Sequence, residues 1–428
     1  MANGTVHLKI SDKITLLAEF IPHFYSFALG FFINSGSRDE EYQESGITHL
    51  IEHMLFKGTG RRSALEIVKR IEALGGSFDA FTSKENVIIL CRFLTEHLTE
   101  IFDLIAELLL ESSFDPENLE KEKAVVLEEL KTQLDDPEDF VFDQLFDLLL
   151  SPHPFSYPIS GREESLRTID REKITGFYKN FLAQRFVIAI AGNFNLDHLL
   201  NRINDRFQGL AYKPRVRTTP RVNHSVIKVQ RRSELSQVYV ALGSGAEPYR
   251  NPERYPMSIF NTAFGGAMSS RLFQSMREQE GLVYNVQSLV EMHEDCGFFS
   301  VYFVTDKDKL KKSFLTLASV FKALQSQGFE ASEVETARSY IKGNLLLSLE
   351  QSTSRMLRLG RNELLTGTIE PVEVTLKNLD NVSLENVNRL IEKYIRPQDI
   401  CLSVVGPSEE EAVRELWNSA VLQEMEKG

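Results

Sequence analysis

Two stretches of this 428-residue chain return in diverged form about half a chain later. Ser35-Gly36 in FFINSGSRDEEYQESG recurs as Ser244-Gly245 in VALGSGAEPYRNPERY, 209 positions on. Phe114 in SSFDPENLEKEKAVVLEEL recurs as Phe329 in QGFEASEVETARSYIKGNLL, 215 positions on. Self-similarity at a long, nearly fixed offset indicates a duplicated unit. Because a chain of this length is also too long for a single core, it predicts two homologous domains.

Strand and helix patterns alternate within the halves. KITLLAEFI and SFALGFFINSG are typical of strands, and GITHLIEHMLF is typical of a helix. The polar stretch GLAYKPRVRTTPRVNHS (209–225) contains two prolines and little periodicity, which indicates a linker. We therefore predict an α+β protein with domains at 1–208 and 229–428, a linker at 209–228, and mainly antiparallel sheets covered by helices.

Composition excludes some partners. The 48 basic and 61 acidic residues give a net charge of −13, which argues against nucleic acid as a partner. Three widely spaced cysteines (Cys91, Cys296 and Cys401) form no CxxC pair and favour a reducing compartment. No secretory signal and no membrane-spanning apolar run are visible. We expect a cytoplasmic protein without a membrane partner.

The segment THLIEHMLFKG, residues 48–58, contains two histidines at a spacing that suits a metal. His49 and His53 are four apart, so a helix presents both imidazoles on one face. Zinc accepts imidazole nitrogen and, in catalytic sites, usually has three protein ligands. Glu52 can lie beside such a metal without binding it and take a proton from the attacking water. Two surface histidines on an amphipathic helix are the alternative.

A third ligand can come from the helix predicted after Asp115. Glu122 and Glu129 are two helical turns apart and share a face, whereas Glu128 points elsewhere and is expected to be solvated. We interpret Glu129 as the ligand and Glu122 as a group that orients a histidine or the water. Solvated glutamates are the alternative. Zinc is the default metal, although manganese or cobalt supports the same geometry.

HLIEHMLFKG, with a glutamate 76 positions after the second histidine, resembles the inverted-zincin metallopeptidases. This family includes pitrilysin, insulin-degrading enzyme and the mitochondrial processing peptidase. The likeness continues through LGGSFDAFTSKENV, EKEKAVVLEELK and NTAFGGAMSSRLFQSMREQEGLVYNV and covers nearly the whole chain. The length is similar to that of the two-domain, processing-peptidase-like members. The resemblance leaves a mature chain in the mitochondrial matrix as an alternative location.

The resemblance implies roles for the motif residues. His49, His53 and Glu129 would bind one zinc ion per chain, with Glu52 as the general base. Arg277 and Tyr284 match a family pair that holds the substrate and its reacting carbonyl.

SFDAFTS matches the edge strand that pairs with bound peptide, so Ala80 and Phe81 are expected to contact substrate. Asp79 stands where the family usually has asparagine, and this difference puts the usual side-chain contact in doubt.

The second half lacks the metal ligands. Asn344 and Ala337 occupy the positions that match Glu129 and Glu122. We expect this half to bind substrate and the two halves to form a clamshell chamber around unfolded peptides or targeting segments. The predicted function is that of a zinc metalloendopeptidase, in a homodimer. A catalytically inactive subunit or peptide-binding scaffold is the alternative, and a hydrolase of non-peptide substrates has only the generic motif in its favour.

Overall fold

The strands of the first half form a six-stranded sheet in a computed structural model that describes residues 4–426. The strand order is β1-β2-β6-β3-β5-β4, so β4 lies at an edge. Neighbours are antiparallel except β2 and β6, which are parallel. The bounds are β1 (Thr5–Lys9), β2 (Ile14–Phe20), β3 (Ser26–Ile33), β4 (Ser77–Thr82), β5 (Val87–Leu94) and β6 (Phe186–Gly192).

The two central strands β3 and β6 are buried along nearly their whole length. A run of apolar residues without alternation is expected where a sheet is covered on both faces. Most helices of the first half pack on one face. The bounds are α1 (Ile47–Leu55), α2 (Ala64–Ala73), α3 (Leu98–Glu111), α4 (Pro116–Asp135), α5 (Pro137–Leu150), α6 (Glu163–Thr168), α7 (Arg171–Leu182) and α8 (Leu196–Phe207).

Local capping motifs mark two helix starts. Ser63 and Glu66 form a reciprocal capping box at the start of α2, as their spacing predicts. Asp115 Oδ1 accepts the backbone amides of the second and third residues of α4, at 3.1 and 3.0 Å. Pro116 is the first residue of that helix, where a missing amide hydrogen costs no hydrogen bond.

The second half forms a five-stranded sheet of order β7-β11-β8-β10-β9. Only β7 and β11 are parallel neighbours. The strands are β7 (Ile227–Arg231), β8 (Gln237–Ala246), β9 (Val283–Met292), β10 (Gly297–Asp306) and β11 (Cys401–Gly406). The helices are α9 (Arg254–Asn261), α10 (Leu310–Gln327), α11 (Ala331–Ser348), α12 (Ser352–Thr366), α13 (Val372–Asp380), α14 (Leu384–Tyr394), α15 (Glu410–Trp417) and α16 (Gln423–Glu426).

One helix from each half packs on the other half's sheet. Helix α5 buries Val141 and Leu145 against the second sheet, and its Gln144 accepts a hydrogen bond from Ser403 of β11. Helix α12 buries Met356 and Leu359 against the first sheet. Each helix thereby covers a sheet face that the other half leaves bare, and burial of that apolar surface drives the arrangement.

The compact units of the structure therefore differ from the predicted division at 1–208, 209–228 and 229–428. The first unit comprises the chain up to Thr132, Tyr157–Thr218 and Ser348–Ile369. The second comprises Gln133–Ser156, Thr219–Leu347 and the chain from Glu370. The predicted class of two α+β domains with helices on the sheets is confirmed, with both sheets mixed in strand direction.

The end of the predicted linker is held in place by buried charge. Arg217 makes a two-pronged ion pair with Asp39, at 2.7 and 2.9 Å, and the Asp39 side chain is 2% exposed. Arg38 pairs with buried Glu85 and also donates to the carbonyl of Thr218. A bidentate arginine–carboxylate pair fixes geometry as well as charge. This part of the linker is therefore an ordered part of the first unit.

The three cysteines are free and buried. Within residues 4–426, no helix is long and apolar enough to cross a membrane.

Candidate metal centre

Helix α1 presents a polar face and an apolar face. Ile47, Leu50, Ile51 and Met54 are fully buried in the core of the first unit, and this apolar stripe fixes the rotation of the helix. The side chains of His49 and His53, on the other face, are 16% and 18% exposed. The predicted helical spacing is thus realised, with the two ring centroids 4.7 Å apart.

The start of α1 is held by a carboxyl group that the sequence analysis did not identify. Fully buried Glu40 accepts the backbone amides of Gly46, at 2.8 Å, and Thr48, at 2.9 Å. Carboxyl oxygens here satisfy amides that have no partner within the helix. Burial raises the pKa of Glu40 to about 8, although both amide hydrogen bonds oppose the rise. Gly46 has a φ of 95°, a left-handed conformation that side chains rarely adopt.

Helix α4 brings Glu129 to the two histidines. Its Oε2 lies 3.9 Å from Nε2 of His49 and 3.5 Å from Nε2 of His53. One donor atom from each of the three residues lies within 4.8 Å of the other two. Glu128, in contrast, has a side chain that is 73% exposed and pairs with Lys131 on its own helix.

These distances fit a zinc ion. Zinc bonds of about 2.0–2.1 Å at tetrahedral angles place the ligand atoms roughly 3.4 Å apart. The observed separations of 3.5 and 3.9 Å are near that value, and two imidazoles with one carboxylate are a common zinc ligand set. Burial, helped by the charge of His53, lowers the pKa of His49 to about 4. At neutral pH the His49 ring is therefore neutral, as a ligand must be.

Glu122 lies behind His53 and is nearly inaccessible, at 6% exposure. Its Oε2 is 3.3 Å from Nδ1 of His53, and its Oε1 is 2.7 Å from the ammonium of Lys57. A carboxylate on the second ring nitrogen leaves Nε2 free to face a metal. This geometry agrees with the predicted orienting role. Lys57, which the sequence analysis did not select, compensates the buried negative charge.

Glu52 faces β4. Its Oε2 accepts a hydrogen bond of 2.5 Å from the Thr82 hydroxyl. Burial raises the pKa of Glu52 above its ordinary value, and the hydrogen bond from Thr82 and the charge of His53 oppose that shift. A partly buried carboxyl with a raised pKa is suited to accept and return a proton. No sequence pattern linked Thr82 to Glu52, because the pair is 30 residues apart in the chain.

Strand β4 is an edge strand, as the family resemblance implies for SFDAFTS. Its inner neighbour is β5, and no other described strand pairs with it. Ala80 packs towards the core, whereas Phe81, on the opposite face of the strand, is 39% exposed. Asp79 accepts the amide hydrogen of Ala80 on its own strand, at 2.9 Å. An open edge offers the backbone groups that an added peptide strand requires.

Arg277 and Tyr284 belong to the second unit, whereas the three candidate ligands belong to the first. Arg277 lies in a π-helical segment at 273–279, and Tyr284 lies near the start of β9. The guanidinium of Arg277 is 5.8 Å from the Tyr284 ring centroid and 5.0 Å from that of Phe273. Tyr284 is 77% exposed, so its hydroxyl is available to a ligand.

Comparison with known proteins identifies relatives over most of the chain. Residues 23–162 match the family described as insulinase (peptidase family M16), and residues 168–341 match its peptidase M16 inactive domain. YmxG of Bacillus subtilis, named an uncharacterized zinc protease, is 34% identical over 398 residues, or 93% of this chain and 97% of that protein. A protein of Mycobacterium tuberculosis with the same description is 33% identical over 400 residues, or 92% and 91% of the two chains.

Solved structures share the fold. A peptidase M16 inactive domain from Pseudomonas fluorescens gives a TM-score of 0.87 at 19% identity, over 95% of this chain and 98% of that one. A protease from Helicobacter pylori gives 0.87 at 16% identity, over 95% and 100%.

The duplicated fold and the histidine–glutamate cluster define a two-domain protein of the zinc metalloprotease class. The chain belongs to peptidase family M16, the insulinase family, which confirms the resemblance seen in its sequence.

Proposed function

We propose that this chain is a zinc-dependent endopeptidase that hydrolyses unfolded peptides or targeting segments. The single observation that carries the proposal is the convergence of His49, His53 and Glu129 within 4.8 Å, beside a partly buried Glu52. An inactive scaffold has no need for an acid at that position. The complete set of ligands and base therefore supports an enzyme over a structural subunit.

The proposed chemistry divides among a few side chains. His49, His53 and Glu129 would hold one zinc ion, and Glu122 would orient the ring of His53. Bound zinc would supply Lewis-acid chemistry to the peptide carbonyl and the attacking water. Glu52 would accept the proton from that water and deliver it to the leaving amine.

The proposed substrate is an extended peptide. Edge strand β4 would pair with its backbone, which gives affinity without strong dependence on sequence. Ala80 and Phe81 would contact its side chains, and Arg277 and Tyr284 are proposed as further substrate contacts. Folded proteins rarely offer a free extended segment, so the proposal favours unfolded chains. Pairing of two copies into a homodimer remains part of the prediction.

The experiment compares three chains in a fluorogenic peptide assay: the parent, Glu52→Gln, and Glu128→Gln as a control. Glu128 receives the same chemical change, but its side chain is exposed and lies on a different face of α4 from Glu129. Each chain is stripped of metal with a chelator and reloaded with zinc. We expect the parent and Glu128→Gln to lose activity with the chelator and regain it with zinc.

The Glu52→Gln chain should bind zinc as the parent does and lose at least about a hundredfold in kcat, the lower range of a general-base contribution. Parental turnover in Glu52→Gln, or full parental activity in the metal-free state, would contradict the proposed mechanism.

A further inference from the structure

Thr82, the last residue of β4, makes a short contact with Glu52. Its hydroxyl donates to Oε2 of Glu52 over 2.5 Å, at the short end of the range for a hydroxyl on a carboxylate. The hydroxyl of one residue on β4 therefore holds this side chain.

The direction of the Thr82 side chain is fixed by the sheet. Phe78 and Ala80 on β4 pack against the core that contains α1. Side chains alternate along a strand, so Thr82 points to the same face as these two residues. Thr82 pairs with Val87 in the ladder, and the turn beyond it is closed by a 2.8 Å hydrogen bond from the Ser83 amide to Asn86. A β-branched side chain on such a strand has little rotational freedom.

We propose that Thr82 is a positioning residue for Glu52, an inference that rests on the proposed role of Glu52 as the base. The Thr82 hydroxyl holds Oε2, which leaves Oε1 to receive the proton of the attacking water. Because Thr82 belongs to β4, the strand proposed to pair with peptide also orients the group that accepts the proton. A substrate that pairs with β4 and orders this strand would then also order the Glu52 side chain.

The test uses two substitutions at Thr82. Thr82→Val keeps the shape and the strand preference but removes the donor. Thr82→Ser keeps the hydroxyl. We expect kcat to fall about 10- to 100-fold in Thr82→Val, because misplacing a catalytic group by about 1 Å costs up to that much. KM and zinc content should stay at parental values, and Thr82→Ser should remain within about threefold of the parent.

Two controls separate positioning from a general structural effect. Thr336→Val makes the same chemical change at an exposed position of α11, outside the unit that contains β4 and the candidate ligands, and should leave kcat unchanged. In the Glu52→Gln chain, adding Thr82→Val should cause less than about a twofold further loss, because the two residues act through one step. Equal losses in both backgrounds, or a Thr82→Ser chain as slow as Thr82→Val, would overturn the inference.

A structural readout keeps the inference distinct from the proposed activity. In a crystal structure of zinc-loaded Thr82→Val, the Glu52 carboxylate should leave its parental position or spread over several rotamers. An unchanged Glu52 side chain would overturn the positioning role, whether or not the parent hydrolyses peptides. Absence of activity in the parent, by contrast, would refute the proposed function alone.

Discussion

Replacing Glu122 by glutamine would remove a buried negative charge from behind His53. Its oxygens lie 3.3 Å from Nδ1 of His53 and 2.7 Å from the ammonium of Lys57. Loss of a carboxylate that supports a ligating histidine typically weakens metal binding 10- to 100-fold. The histidine contact is slightly longer than an ordinary hydrogen bond, and Lys57 is about one-third exposed, so its charge remains partly solvated. We therefore expect a loss near the lower end, about 10- to 30-fold, or roughly 1.4–2 kcal/mol.

The assay is a competition titration of metal-free chains with zinc and a chelating dye at neutral pH. Glu128→Gln is the matched control, because it makes the same change on the same helix at an exposed position. Its zinc affinity should equal that of the parent. A Glu122→Gln chain that binds zinc within about threefold of the parent would refute the reasoning about His53.

Three further predictions concern stability, each measured by denaturant unfolding. The folded-state pKa of Glu40 is raised from 4.5 to about 8. The contribution of this carboxyl group to the free energy of unfolding is therefore fully present below about pH 4.5 and is lost as the pH rises towards 8. The parent should therefore lose stability relative to Glu40→Gln between pH 5 and 8, by at most about 1.4 kcal/mol per pH unit, and a constant difference would contradict this. Arg217→Ala should destabilise the chain by about 3 kcal/mol, since the buried Asp39 carboxylate would lose its bidentate partner and keep only Arg215, at 3.6 Å, and the Gly36 amide; a loss under about 1 kcal/mol would argue against that pair. Gly360→Ala should cost about 1–3 kcal/mol because a Cβ there would lie 2.2 Å from the ring of Phe32, whereas Gly343→Ala, with open space around it, should cost nothing.

Features set by neighbouring residues were predictable from the sequence. The spacing of His49 and His53 fixes a shared helix face, and Ser63 with Glu66 marks a helix start, because both patterns act within one turn. For Glu129, the same reasoning predicted only that it shares a face of α4 with Glu122. Its approach to the histidines depends on how α4 packs in the core of the first unit.

Features set by long-range packing were not predictable. Helices α5 and α12 have ordinary amphipathic sequences, and nothing local indicates which of two sheets will bury them. The same limit applies to Thr82. Its contact with Glu52 depends on β4 packing beside α1, which no local pattern indicates. Sequence patterns assign charged residues such as Lys57 and Glu40 to the surface. In the fold Glu40 is itself buried, and Lys57 pairs with a buried glutamate.

The central claim is that two imidazoles and one carboxylate bind a single metal ion, and elemental analysis of the purified chain tests it most directly. The parent should contain about one zinc ion per chain after dialysis against buffer, and His53→Ala should contain almost none. Glu128→Gln should match the parent. A parent that retains no zinc when the metal is supplied, or a His53→Ala chain that retains as much as the parent, would contradict the account.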